Sequence, residues 1–258
     1  LRFYPEEAFQ RDLCTGCGTC LRLCPSMALV LDGSGRVQEF RSNCINCGHC
    51  GAYCPVNAFG LKPVSKGSSP EALISLFSAR RSTRLFVPVN LTEERLSLLL
   101  RPVGYAPTGT NSQGITVVAI QGVDRIQAMV VDPVRRFLRP FLPLASRTGF
   151  RHQARDFADG GDPITRRAPC LLFFFVPRKN TTPCEDGVIA ATMVSLQAEA
   201  MGLGCLWNGV VKILFPFLGS LRKFKPRGAG LRAVLCVGER QLEPLHEVPG
   251  RDCITVSH

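Results

Sequence analysis

The sequence reads as an α+β chain in two parts, and three features of its 258 residues say so. Two evenly spaced runs of cysteine fill the stretch from Cys14 to Cys54. A Ser-, Gly- and Lys-rich stretch, 63–69, then breaks the pattern. Beyond it, apolar stripes at helical period alternate with short continuous apolar runs of the buried-strand kind. The expected division is therefore a cysteine-rich module over 1–62, a linker over 63–69 and a larger α+β domain over 70–258.

The first run reads Cys14-Thr-Gly-Cys17-Gly-Thr-Cys20-Leu-Arg-Leu-Cys24-Pro25, and the second, thirty residues on, Cys44-Ile-Asn-Cys47-Gly-His-Cys50-Gly-Ala-Tyr-Cys54-Pro55. This is the C-x2-C-x2-C-x3-C-P spacing of iron–sulfur proteins, written twice. The short gaps let one loop wrap three iron corners, while the cysteine before proline reaches across to the other cluster. Two [4Fe–4S] clusters are thus expected, one on Cys14, Cys17, Cys20 and Cys54, the other on Cys44, Cys47, Cys50 and Cys24. Disulfides do not account for the spacing, and zinc ribbons pair two C-x2-C knuckles instead. The repeat continues beyond the ligands in Gly18/Gly48, Pro25/Pro55 and Ala28/Ala58. Over roughly residues 5–62 the chain closely resembles a bacterial dicluster ferredoxin. Residues 1–12 are expected to form a short strand, and Ala28–Gln38 a hairpin turning at Asp32-Gly33 and Gly35.

The formal charge is +11, but each all-cysteine cluster would carry a net charge of about −2, because four thiolates outweigh its iron–sulfide core. Of 31 basic residues, 25 are Arg, the side chain suited to planar, bidentate phosphate contacts. No basic run is interleaved with aromatics, so nucleic acid is not an expected partner. The longest apolar run, Cys170–Val176, is too short to span a bilayer. No secretory signal is recognisable, and thiolate-held clusters favour a reducing cytoplasm.

After the linker, Ser69-Pro70-Glu71 opens a helix to about residue 80, with serine as cap, proline in the first turn and an acid near the positive end of the dipole. A second helix spans 92–103, capped by Thr92 or Asn90 with Glu93-Glu94 following. Ile115–Ile120, Cys170–Val176 and Leu231–Gly238 read as strands, and Asp186–Met201 as a helix with an Ala-rich flank. The region 123–168 has helical fragments and a Gly-, Asp- and Arg-rich stretch without a clean period.

Three separated segments in this half carry chemistry: Arg80-Arg81-Ser82-Thr83-Arg84, Ala106-Pro107-Thr108-Gly109-Thr110-Asn111-Ser112-Gln113, and Gly202-Leu203-Gly204-Cys205-Leu206-Trp207-Asn208-Gly209. In this order and spacing they resemble the FMN-binding nitroreductase family over residues 70–258. A flavin phosphate wants guanidinium forks and a hydroxyl, which Arg80, Ser82 and, near the C-terminus, Arg251 supply. The resemblance implies that Arg84 lies by the pyrimidine ring, and that Pro107, Thr108 and Asn111 reach the flavin from the partner subunit of a homodimer. It also implies that the turn Leu206, Trp207, Asn208, Gly209 lines one flavin face and aims an N–H at N5. Two departures stand out: Thr108 replaces the family's usual serine, and Gly114-Ile115 follows Gln113 where Pro-Trp is usual.

No Ser/His/Asp set and no carboxylate pair offers acid–base catalysis, so no catalytic side chain is expected and the flavin would carry the reaction. The fused architecture implies a relay from an external low-potential donor, such as ferredoxin or flavodoxin, through the clusters to FMN. The expected acceptor is a small nitro-aromatic, quinone or similar conjugated molecule. Reductive dehalogenation, flavin fragmentation, or electron transfer to another protein are the alternatives. The basic group Arg147, Arg151, His152 and Arg155 is expected on a solvated loop, or on a lid over an acidic substrate. Cys170 and Cys236 lie in strand-like runs as small core hydrophobes, while Cys184, Cys205 and Cys253 show no ligand spacing.

Overall fold

The computed structural model describes residues 4–64, 67, 69–138 and 151–246, with the side chains of 138 and 151–154 excepted. The chain separates into two compact units: Leu1–Gly67 together with Thr110–Ser112, and Ser68–Gly109 together with Gln113–His258.

The first unit is built twice on one backbone plan. Helix α1 (Thr19–Leu23) and helix α2 (His49–Ala52) are preceded by Gly18 and Gly48, whose φ of 67° and 77° lie in the left-handed region. Met27 and Asn57, thirty residues apart, share φ 49°. Between the halves runs an antiparallel hairpin, β1 (Leu29–Leu31) and β2 (Val37–Phe40), paired Leu29 to Phe40. Its turn is organised by Asp32, which accepts from the Ser34 N–H, the Ser34 hydroxyl and the Arg36 N–H at 2.7–3.0 Å. These donors, the Ser34 hydroxyl first, lower the Asp32 carboxyl pKa to about 2. The strand expected over residues 1–12 is instead a helical turn, Pro5–Ala8, followed by a 3-10 turn, Arg11–Leu13. Pro5 presets the helical φ and Glu6 and Glu7 favour the first turn, which outweighs the aromatic content.

The second unit centres on a four-stranded antiparallel sheet in the order β3 (Thr116–Gln121), β4 (Cys170–Pro177), β6 (Ala229–Glu239), β5 (Leu203–Trp207). Strand β4 is buried on both faces from Cys170 to Val176, as its unbroken apolar run requires. Its side chains alternate between two cores. Leu171, Phe173 and Phe175 face the helical stretch Val123–Ile126, Gln127–Val131 and Asp132–Leu138, with Val211, Phe215 and Leu221 from beyond β5. Cys170, Leu172 and Phe174 face Ala190, Ala191, Val194 and Ala198 of the long helix over Pro183–Ala200. That helix begins three residues before the expected start, because Pro183 opens it and Glu185 and Asp186 occupy its first turn. Gly187 lets it close on β6, since a Cβ there would stand 2.4 Å from Cβ of Arg232.

The helices Pro70–Ala79 and Glu93–Leu100 form where the caps predicted them: Ser69 Oγ accepts from Ala72 N–H at 3.2 Å, and Thr92 Oγ1 from Arg95 N–H at 3.3 Å. The 202–209 segment differs from expectation. It is mainly strand β5, paired Leu203 to Glu239 through Trp207 to Leu235, and only its end turns. A pairing partner more than twenty residues away overrides the low strand preference of its glycines. The basic group Arg147, Arg151 and His152 and the phosphate candidate Arg251 fall outside the described side chains; Arg155 stands exposed on the helix Arg151–Ala158.

Phe174 is fully buried between β4 and the long helix. Phe174→Ala should therefore cost about 3–5 kcal/mol, measured as a drop in the denaturant midpoint of the second unit with an unchanged slope.

Candidate functional site

In the first unit the eight repeat cysteines fall into two cavities. Cys14, Cys17, Cys20 and Cys54 line one, together with Phe9, Val37 and Phe59, and Cys50 borders it from the neighbouring set. Cys24, Cys44, Cys47 and Cys50 line the other, together with Leu29, Phe40 and Ile45. The cysteine of each run that precedes proline thus shares a cavity with the other run, the crossing that the doubled motif predicts. Each of these two is held by a backbone donor four residues on: Ala28 N–H to Cys24 Sγ and Ala58 N–H to Cys54 Sγ, both 3.3 Å. Among the described residues no three His, Cys, Asp or Glu side chains converge as ligands of a single metal ion do. The thiols instead surround a shared apolar space, a geometry suited to a multi-iron core.

The electrostatics say what such a core must bring. Burial pushes the Cys50 thiol up to about 11, and the neighbouring sulfurs of Cys44, Cys47 and Cys20 push the same way. Cys20 is raised by burial and by Cys14 and Cys17. Cys17 goes the other way, lowered by the Thr19 hydroxyl; in Cys24 burial is outweighed by the Ala28 N–H and the Ser26 hydroxyl. Four thiolates can share each space only if positive charge sits between them.

In the second unit, segment 80–84 runs beside β5. Ser82 forms a parallel bridge with Cys205, and Thr83 N–H donates to Cys205 O at 3.0 Å. Because the bridge is parallel, Arg84 runs toward the Trp207 end of β5, whereas Arg80 lies toward its Leu203 end. Gly204 is required for it, since a Cβ there would stand 2.6 Å from the Thr83 methyl. Arg81, Ser82, Thr83, Arg84, Arg240 and Leu242 contribute to the wall of a cavity of about 280 Å³. No ion pair among the described residues engages Arg80 or Arg84. The side chain of Arg240, by contrast, is shielded from solvent and committed to Glu199 at 2.5 Å and Glu243 at 2.8 Å. Trp207 is 39% exposed, and a Cβ at Gly209 would meet nothing within 4 Å, so the end of β5 stands open.

Two residues expected at a flavin are placed otherwise. Asn208 is buried; its Oδ1 caps the helix Gly209–Leu214 by accepting from Val211 N–H at 2.9 Å, and its Nδ2 donates to Ile164 O at 2.8 Å. Its own N–H donates to Val234 O at 2.8 Å. Asn208 therefore shapes the turn rather than presenting its amide. Asn111, in the three-residue segment that belongs to the first unit, donates from Nδ2 to the carbonyls of Ile45 at 2.8 Å and Asn46 at 3.0 Å. Thr108 lines a separate cavity of about 130 Å³ with Val103, Gly104 and Gln113, and its hydroxyl accepts from Gln113 N–H at 2.9 Å. Pro107 leads into the same loop.

Sequence reasoning missed Asp162. Its carboxylate accepts from the N–H groups of Ile164, Thr165 and Arg167, from the Thr165 hydroxyl and from Gln127 Nε2 at 2.7 Å. It thereby holds a turn in which Arg166 and Arg167 take φ of 58° and 53°, and Ile164 O receives Asn208. The signal was Asp162-Pro-Ile-Thr165, an Asp with a Thr three residues on, hidden within an irregular stretch.

With this geometry in hand, comparison with known proteins places the chain. Residues 77–227 match the model of the Nitroreductase family, and residues 7–55 match that of the 4Fe-4S dicluster domain. The chain belongs to the Nitroreductase family and carries a dicluster ferredoxin-type module ahead of it. A ferredoxin of Pyrobaculum islandicum is 37% identical over 71 residues, covering 27% of this chain and 62% of the ferredoxin, so the match spans less than two thirds of that relative. Among solved structures, the FMN-bound nitroreductase of Bacteroides fragilis superposes with a TM-score of 0.57 at 15% identity, over 72% of this chain and 98% of its own. That of Desulfitobacterium hafniense gives 0.56 at 20%, over 72% and 97%. Iodotyrosine deiodinase bound to FMN and 3-iodo-L-tyrosine gives 0.54 at 19%, over 72% and 98%. These likenesses establish the fold. No helix among the described residues is long and apolar enough to cross a membrane.

Burial raises the Asp162 carboxyl pKa, but the Thr165 hydroxyl and the surrounding N–H donors outweigh it, leaving the group below the usual carboxylate range. A lowered folded pKa contributes stability that is complete above the unfolded value of about 3.9 and is lost as pH falls through the folded one. Asp162→Asn should thus destabilise the chain at neutral pH and flatten its loss of stability below about pH 4, read by thermal unfolding across an acid series.

Proposed function

We propose that this chain is an iron–sulfur flavoprotein oxidoreductase that reduces a nitro-aromatic, quinone or similar conjugated acceptor. The single observation that carries the proposal is the sorting of eight thiols into two apolar cavities in a chain whose larger unit has the nitroreductase fold. Clusters on Cys14, Cys17, Cys20, Cys54 and on Cys24, Cys44, Cys47, Cys50 would take electrons singly and deliver them to FMN, which supplies the two-electron reduction. The bound FMN of the Bacteroides fragilis and Desulfitobacterium hafniense nitroreductases supports the choice of flavin.

The chain's own residues have distinct tasks. Arg80 and Ser82 hold the phosphate, joined by Arg251, and Arg84 places a fixed cation by the flavin ring. Leu206, Trp207 and Gly209 form an open wall for one ring face, and Asn208, anchored to Ile164 and Val211, fixes that wall's shape. Pro107 and Thr108 act from a second copy of the chain. The helix Pro70–Ala79 supports a homodimer: it buries none of its side chains, it touches the long helix, and Leu73, Ile74 and Phe77 of the one and Val188 and Ile189 of the other all stand exposed. An external low-potential donor, a ferredoxin or flavodoxin, would load the first unit in a reducing compartment such as the cytoplasm.

A second reading, reductive dehalogenation, is favoured by the fold shared with the iodotyrosine deiodinase that holds FMN and an iodinated tyrosine.

After anaerobic purification, iron and acid-labile sulfide should each approach about eight per chain with about one FMN. Zinc without sulfide would remove the cluster assignment. Arg80→Ala should weaken FMN binding about tenfold or more, the scale of one charged hydrogen bond, while leaving iron content unchanged. Undiminished flavin affinity in that variant would remove Arg80 from the phosphate site.

A further inference from the structure

The repeated backbone of the first unit makes its side-chain differences readable as differences between two otherwise equivalent cysteines. Cys24 and Cys54 each precede proline, each accept an N–H from the residue four positions on at 3.3 Å, and each are followed by a residue at φ 49°. Two residues past each cysteine the halves part. Ser26 lies past Cys24, with its hydroxyl 3.6 Å from Sγ, half-buried, and lines the cavity of Cys24, Cys44, Cys47 and Cys50. Val56 lies past Cys54 and brings only methyl groups to the cavity of Cys14, Cys17, Cys20 and Cys54.

A thiolate bound to iron has no proton to give, so the Ser26 hydroxyl can act toward it only as donor. A donor to a cluster sulfur stabilises the more negative, reduced state and so raises the reduction potential. The opposing loop has hydroxyls too, Thr19 at 3.5 Å from Cys17 Sγ and Thr15 acting on the same sulfur, but Cys17 is exposed, and water offers comparable donors there. Asn46, where the first half has Gly16, turns its Oδ1 toward Cys44 Sγ at 3.6 Å, an acceptor that offers that sulfur no hydrogen bond once it is a thiolate.

The geometry points to Ser26 as the residue that breaks the equivalence of the two clusters, raising the potential of the one that Cys24 ligates. It is a positioning residue acting through the sulfur of Cys24, and it rests on the cluster assignment proposed above. Its consequence is directional. The cluster beside Ser26 holds an incoming electron more firmly than the same ligand set would without the hydroxyl, so a side chain outside the cysteine motif biases the order in which the two clusters fill.

The test is EPR-monitored reduction of the full chain at poised potentials, anaerobically, with iron and sulfide measured on the same samples. In Ser26→Ala one of the two cluster potentials should fall, by about tenfold in the reduction equilibrium or about 59 mV for one electron, while the other holds. Ser26→Thr, which keeps the hydroxyl, should restore it. Val56→Ser, at an exposed position that tolerates exchange, should raise the other potential. If Ser26→Ala retains full iron and sulfide and both potentials stay in place, or both fall together, the inference is wrong. Wild-type chain without iron and sulfide would instead overturn the cluster assignment on which it rests.

Discussion

Four thiolates confined to one apolar space repel each other, and the first unit has little else to hold it. Its buried apolar side chains are few, mainly Ala28, Leu29, Val37, Ala58 and Phe59, with Phe9 and Phe40 packing around Phe59. A module of this size ordinarily needs a metal or covalent staple, because so small a core barely offsets chain entropy. The same thiols that raise each other's pKa become its strongest cross-links once a positive core lies among them. Their doubled spacing, the left-handed glycines and the Ala28 and Ala58 N–H donors all serve that arrangement.

The second unit is constrained differently. A strand buried on both faces, Cys170–Val176, fixes two cores, and both sides of the candidate flavin site hang from its sheet. Segment 80–84 reaches the site only because Ser82 and Thr83 pair with Cys205 on the sheet's edge strand. The turn after that strand keeps its shape through a chain of polar contacts, from Asp162 to Ile164 and from Ile164 to Asn208. The segment that carries Arg80, Ser82 and Arg84 is thereby fixed along β5 by backbone pairing, and the open surface at Gly209 follows that strand's end.

Much of this was readable from residues alone. Cysteine spacing is local chemistry, so the two cysteine runs and the cavity that each pre-proline cysteine shares with the other run were visible, as were the Ser69 and Thr92 caps and the Cys170–Val176 strand, each decided within a few residues. What escaped was decided at a distance. Strand β5 exists because β6 pairs with it, and two glycines in Gly202-Leu203-Gly204 hid it behind a turn signal. Residues 1–12 were expected as a strand, whereas Pro5 with two following acids settles a helical turn. Asn208 and Asn111 carry the right side chain for a ligand, yet each spends its amide on carbonyls brought near by the fold: Ile164 in one case, Ile45 and Asn46 in the other. Asp162 lay in a stretch without period, where only its hydrogen bonds reveal its importance.

The central claim is that the cysteine module feeds electrons to the flavin within this chain, and stopped-flow mixing with a reduced ferredoxin tests it most directly. Flavin absorbance would be followed in the wild-type chain and in Cys44→Ser, after matching the two for FMN content. The account predicts rapid flavin reduction in the wild type and a large loss of rate in Cys44→Ser, whose second ligand set is broken. Equal rates in the two would contradict it, because electrons would then be reaching the flavin without the clusters.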